Sequence, residues 1–195
     1  AYAITGGLGG LGMRAAAMLV TRGASGIALS SRSGRVGGLA IDADKSALMH
    51  VAACDAGDAS DALVLMACAV WTGVLHAAGV LHDKMLRFMT ADDVHVVFAA
   101  KAHGASHIRA IALQTPLEAF GLFSSVASTF GNVGQGNYAA ANAYLDAVAH
   151  SHRRHGALVS SLQIPAVSGS GMGATTFDKE QLDAVGAISL DEFAE

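Results

Sequence analysis

The chain has 195 residues, 52% of them hydrophobic and 14% charged, with two prolines, which is the composition of one globular domain and excludes a disordered segment. Twelve basic residues against sixteen acidic ones give a net charge of −4, so no electrostatic footprint for nucleic acid is present. The two cysteines, Cys54 and Cys68, form no CxxC pair, which speaks against a disulfide framework or a zinc site and makes a reducing, cytoplasmic compartment the default.

Taken in chain order, Ala1–Thr5 reads as a short apolar strand running into Gly6-Gly7-Leu8-Gly9-Gly10-Leu11-Gly12. Met13–Arg22 carries apolar residues at helical spacing and stops at Gly23. Gly26–Ser31 and Met49–Cys54 follow as buried strands, Asp61–Ala69 as a helix and Gly73–Ala77 as a fourth strand. Ala91–Leu113 is expected to be one long helix with Thr90 as its N-cap. Ala119–Ser124 is the fifth strand, Asn137–His155 a second long helix stopped by Gly156, and Leu158–Ile164 the sixth strand. Ala62–Leu81 contains no Asp, Glu, Lys or Arg and is long enough to span a bilayer. Its histidine and glycines, and its division into a helix and a strand, argue against a membrane span. Residue 1 lies inside an apparent strand and Leu190–Glu195 reads as a helix start, so the chain is expected to be a piece of a larger polypeptide.

Strands and helices alternate, and the strands are continuous apolar runs. This predicts an α/β fold: a doubly wound parallel sheet of the Rossmann kind, with helices on both faces and ligands at the carboxyl ends of the strands.

Gly7-Leu8-Gly9-Gly10-Leu11-Gly12 fits GxGxxG, directly after a strand and directly opening a helix. Glycines there let the backbone approach a pyrophosphate whose charge sits on the helix N-terminus. An NAD site wants a carboxylate about 20 residues on. Arg32 stands there instead, between Ser31 and Ser33, and no carboxylate lies between Ala28 and Asp42. A guanidinium flanked by hydroxyls suits a 2′-phosphate, so the expected cofactor is NADPH; the alternative for Arg32 is a solvated surface residue. Cys54-Asp55 follows the third strand, with Asp55 placed either to meet an adenine amino group or to cap the next helix. His76-Ala77-Ala78-Gly79 ends the fourth strand mostly with small residues, as close approach to a cofactor requires.

Tyr138, with Asn142 four residues later and Ser125 thirteen residues earlier, resembles the active site of the short-chain dehydrogenase/reductases. Simple members of that superfamily carry Lys where Asn142 stands. The ketoreductase domains of modular type I polyketide synthases and related type I fatty acid synthases exchange the two positions, and Lys101 on the preceding long helix is similar to their lysine. Thr5–Gly12, Ser30–Ser33, Cys54-Asp55, His76–Leu81, Phe123–Ser125 and Gly134–Leu145 look like ketoreductase motifs in order and approximate spacing. The resemblance implies that residues 1–195 are the NADPH-binding catalytic subdomain of such a domain. It implies reduction of a β-ketoacyl thioester on an acyl carrier protein, beside other domains of the same synthase chain. In that reading Tyr138 donates the proton and Ser125 hydrogen-bonds the same oxygen. Lys101 lowers the Tyr138 pKa and bridges to the cofactor ribose, and Asn142 holds Lys101 or a water. Taken singly, a core tyrosine and a surface lysine are the competing readings.

Leu81-His82-Asp83 resembles the Leu-Asp-Asp-like motif that accompanies a D-hydroxy product in this family, with only the last Asp kept. Phe130 stands where the opposite stereochemical class often has Trp, so both residues lean toward a D-hydroxyacyl product. The chain departs from the family in short stretches at Ser33–His50 and Ala59–Thr72 and in Pro165-Ala166-Val167. Gly169–Phe177, rich in small residues, is expected to be a mobile lid. The nine histidines have no ligand spacing, and no metal is expected. Two other functions are weighed: reduction of another small ketone or aldehyde, and a non-reducing cofactor-binding or structural module of a synthase.

Overall fold

Six short strands form one parallel sheet in the order β3-β2-β1-β4-β5-β6. They are β1 (Tyr2–Thr5), β2 (Gly26–Ser31), β3 (Leu48–Ala53), β4 (Gly73–His76), β5 (Ala119–Ser125) and β6 (Val159–Ile164). The structure is a computed structural model and describes residues 1–35, 48–114, 117–169, 180, 182 and 186–194. Parallel pairing needs a crossover connection, and the described helices are α1 (Gly10–Thr21) after β1, α2 (Ala59–Ala67) after β3, α3 (Ala91–Phe98) and α4 (Gly104–Ala112) after β4, and a short α5 (Ala127–Phe130) with α6 (Gly136–Arg153) after β5. The strand order reverses between β1 and β4, where doubly wound sheets open a crevice at the strand ends.

Adjacent strand residues point to opposite faces, and two cores result. Ala3, Ala28, Val74, Phe120 and Leu122 pack with Leu65, Ile108 and Leu145 of α2, α4 and α6. On the other face Ile4, Ile27, Leu29 and Phe123 pack with Ala15 and Ala16 of α1 and with Ile188, Leu190 and Phe193. Val167 is buried and bridges to Ile188, which ties the Pro165–Val167 segment to that second core. β3 departs from the expected buried strand. It lies at the sheet edge, and most of its residues are exposed.

Several boundaries differ from expectation for identifiable reasons. α2 begins two residues early because Asp58, not Asp55, caps it: Asp58 accepts from the amides of Ser60 and Asp61. The Ala62–Leu81 stretch divides into α2 and β4, and no helix among the described residues is long and apolar enough to cross a membrane. The long helix expected from Ala91 runs on to Ala112 but changes its winding midway. After the Thr90 capping box, α3 gives way to a π turn at Ala99–His103 before α4 begins. The expected lid, Gly169–Phe177, lies outside the described residues apart from Gly169.

Candidate active site

A cleft of about 350 Å³ opens at the carboxyl ends of β1, β2 and β4, within the range of small-molecule sites. Gly6, Leu8, Gly9, Gly10, Leu11 and Gly12 form its floor. Gly6 has φ +67°, and a Cβ there would stand 2.6 Å from the backbone of Ala78. A Cβ on Gly12 would stand 2.6 Å from Gly7 Cα. The loop can pack against the end of β4 and fold back on itself only because these two positions lack side chains. No side chain caps α1 at Gly9, so the helix N-terminus faces the cleft with its own amides, as an anion site does.

Ser31, Arg32 and Ser33 line the far wall, and Cys54, Asp55, Ala77, Ala78 and Gly79 line the near one. Arg35 also lines the cleft. The Ser31 hydroxyl accepts from the Gly34 amide and that of Ser33 from the Arg35 amide, so both serines shape the turn that presents the two guanidiniums. Asp55 accepts from the Gly57 amide at 2.9 Å and therefore braces a turn rather than capping α2. This glycine cradle, uncapped helix and pair of cations fit a dinucleotide carrying a ribose phosphate.

Three residues of the expected cofactor set stand behind the cleft. Gly7 packs under the loop, where a Cβ would meet Ile4 O at 2.6 Å. Thr5 and His76 are fully buried and hydrogen-bonded at 2.7 Å through His76 Nδ1. His76 Nε2 lies 2.9 Å from the Lys101 carbonyl; a carbonyl only accepts, so Nε2 carries the proton and Nδ1 accepts from Thr5. Burial, reinforced by the Lys101 charge, pushes the His76 pKa down to about 4. Gly104 makes room for this ring, since a Cβ there would come within 2.7 Å of it.

On the other side of the cleft the π turn carries Ala100, which lines it, and then Lys101, which is buried. The Lys101 ammonium donates to the Phe123 carbonyl at 2.8 Å and lies 5.3 Å from the centre of the Tyr138 ring. Burial pulls its pKa down to about 8, opposed by the Asp146 carboxylate. Burial likewise raises the Tyr138 pKa, while the facing Asn142 and Ser125 side chains draw it back. The structure thus brings Lys101, Ser125, Tyr138 and Asn142 together from the π turn, β5 and α6. The Asn142 amide donates to the Tyr138 carbonyl at 2.9 Å, and among the described residues its buried Oδ1 has no hydrogen-bond partner. Asp83 lies beside this group, accepting from Gln135 at 2.8 Å, and Phe130, at the end of α5, is 83% exposed.

Asp146 was not singled out in the sequence. It lies eight residues beyond Tyr138, two turns along the same face of α6. Its carboxylate accepts from Ser128, Ser161 and Gln163. Burial pushes its pKa up, but these donors outweigh it and hold the group ionised. The only available signal was that helical offset.

The family model described as KR domain matches residues 1–169. Polyketide synthase GfsB of Streptomyces halstedii is 41% identical over 85% of this chain and 3% of its own length. The PikAIII component of the pikromycin polyketide synthase of Streptomyces venezuelae is 37% identical over 87% of this chain and 12% of its own. Among solved structures, an A-type ketoreductase from a modular polyketide synthase superposes with TM-score 0.89 at 35% identity, covering 97% of this chain and 42% of that one. The first ketoreductase of the tylosin synthase gives TM-score 0.88 at 32% identity, covering 98% and 44%. The chain therefore spans a small fraction of the synthases it matches and less than half of these solved chains.

Proposed function

The chain belongs to the KR family, the ketoreductase domains of polyketide synthases, and from that membership we propose that it reduces a β-ketoacyl thioester on an acyl carrier protein with NADPH. The product is the β-hydroxyacyl thioester, in the D configuration. One observation carries this reading: Lys101, Ser125, Tyr138 and Asn142 meet beside a glycine-floored cleft whose wall holds Arg32 and Arg35.

Bound NADPH supplies the hydride. The protein's own residues do the rest. The Ser125 and Tyr138 hydroxyls hold the ketone oxygen where negative charge develops, and Tyr138 gives it a proton. Ser125 is oriented for this because its Oγ also accepts from the Ala127 amide at 3.2 Å. The Lys101 cation beside the Tyr138 ring favours the tyrosinate left behind. Asn142 anchors to the Tyr138 carbonyl and turns its free Oδ1 into the buried group, as a partner for Lys101 or a bridging water. Arg32, with Ser31 and Ser33 shaping its turn, holds the 2′-phosphate, and Asp55 meets the adenine. Thr5, Gly7 and His76 support the cofactor from behind. Asp83 and Phe130 border the substrate entrance and set the face attacked. Other domains of a cytoplasmic synthase deliver the substrate.

The test is NADPH consumption by the full-length protein with a β-ketoacyl thioester, followed by chiral analysis of the product. Thioester-dependent oxidation of NADPH with D-hydroxy product is expected. Cofactor binding without turnover, even with carrier-bound substrate, would favour a silent module. Turnover only of small ketones outside the thioester class would favour a different reductase.

A further inference from the structure

The segment His82-Asp83-Lys84 departs from the family pattern at His82, and the structure shows what that histidine touches. His82 Nε2 lies 2.9 Å from one carboxylate oxygen of Asp93, and Lys84 Nζ lies 2.8 Å from the other. Asp93 sits in the first turn of α3, where its Oδ2 also accepts from the Thr90 amide and hydroxyl, each at 2.7 Å. Its side chain is only 7% exposed. Lys84 first, then Thr90, hold its pKa well below the usual carboxylate range. One buried anion thus grips the residues on either side of Asp83.

With His82 and Lys84 drawn to Asp93, the Asp83 carboxylate meets Gln135 instead, at 2.8 Å. The backbone reinforces the arrangement, because the Lys84 amide donates to the Gly134 carbonyl at 2.8 Å. Asn137 then connects the grip to the reacting group. Its amide nitrogen donates to the carbonyls of both His82 and Asp93, at 2.9 and 2.8 Å, while its Oδ1 accepts from the Tyr138 amide at 2.8 Å. Asn137 is 2% exposed, so these bonds are shielded from water. The wall at residues 82–84 and the tyrosine are therefore held by the same amide.

We propose that Asp93 is a positioning residue: by holding His82 and Lys84 on its two oxygens it locks the wall carrying Asp83 against Asn137 and Tyr138, so that the ketone enters in one orientation. Neither His82, Lys84 nor Asp93 touches the reacting atoms. The inference rests on the ketoreductase reading, and it concerns orientation rather than proton donation.

The grip can be separated from the helix cap. Replacing both arms, His82→Phe with Lys84→Met, leaves the Thr90–Asp93 capping box in place. In the full-length protein with NADPH and a β-ketoacyl thioester, this double variant should show a raised KM for the thioester. It should also show an enantiomer ratio eroded about tenfold, a fraction of the roughly 100-fold that a misplacement of about 1 Å can cost, with NADPH affinity unchanged. Lys84→Arg keeps a cation and should keep most of the ratio. Asp92→Asn removes a first-turn charge from α3 without touching the grip, and should lower the melting temperature slightly while the ratio stays near that of the parent. If the double variant fails to fold, Lys84→Met alone, at a 39% exposed position, carries the same expectation with a smaller effect. Unchanged KM and ratio in the arm variants, or equal erosion in Asp92→Asn, would overturn the proposal. A parent protein that reduces no β-ketoacyl thioester would instead refute the ketoreductase reading.

Discussion

Around the cleft, β1, β2 and β4 contribute mostly backbone, whereas around Tyr138 the π turn, β5 and α6 contribute side chains that bond one another. The first region is a contiguous run, Gly6 to Gly12, shaped by the absence of side chains. The second is assembled from residues as far apart as Lys101 and Asn142, and it depends on buried polar contacts that each need a partner. A backbone cradle tolerates little added volume but carries no titration. A side-chain site tolerates shape change but responds to every proton. His76 joins the two, bonding Thr5 of β1 and the carbonyl of Lys101.

Breaking the cradle should have the largest effect. Gly6→Ala forces a left-handed backbone, costing about 1–3 kcal/mol, and drives a Cβ to within 2.6 Å of Ala78. Cofactor affinity, followed by NADPH fluorescence titration, should fall to background and thermal stability should drop. Retained affinity would show that the cleft is not shaped as described.

Acidification should break the joint. The folded-state pKa of His76, about 4, lies below its ordinary value of 6.5, so between these values the unfolded chain binds the proton that the folded chain excludes. Stability is therefore lost as pH falls from 6.5 toward 4, by roughly 3 kcal/mol from this group. Urea unfolding at about pH 7 and about pH 4.5 measures it. His76→Gln, which keeps a donor and an acceptor, should flatten the difference.

Two smaller effects sharpen the contrast. Arg32→Ala should cut the preference for NADPH over NADH by about 10- to 100-fold, the worth of a charge-assisted bond of roughly 1.5–3 kcal/mol, with little change in turnover at saturating cofactor. Asp146→Asn removes the charge that supports the Lys101 cation. Lys101 then loses its proton at lower pH, and the alkaline fall in kcat should move to lower pH while NADPH affinity holds.

These two regions also differ in what the sequence reveals. The cradle is local: a strand, a glycine run and a helix start in succession state its geometry, and Arg32 stands at the expected interval. The sheet was legible for the same reason, through apolar runs separated by turns. Lys101 was legible only through family resemblance, because helical spacing gives no sign that the helix opens into a π turn there. Arg35, one turn residue beyond Ser33 and Gly34, was missed because its reach into the cleft depends on how that turn folds. Asp55 and Asp58 look alike in sequence, and only the backbone geometry decides which caps α2. Asp93 was hidden as a first-turn acid, a common residue at helix starts. Its grip on His82 and Lys84 arises from segments that meet in space alone.

The most direct test of the central claim separates reaction from binding at a single atom. In the full-length protein, Tyr138→Phe should lower kcat for a β-ketoacyl thioester by about 10²–10⁴, while NADPH affinity, set by the opposite region, stays within about twofold of the parent. An unchanged kcat would contradict the assignment of Tyr138 and, with it, the account of the site.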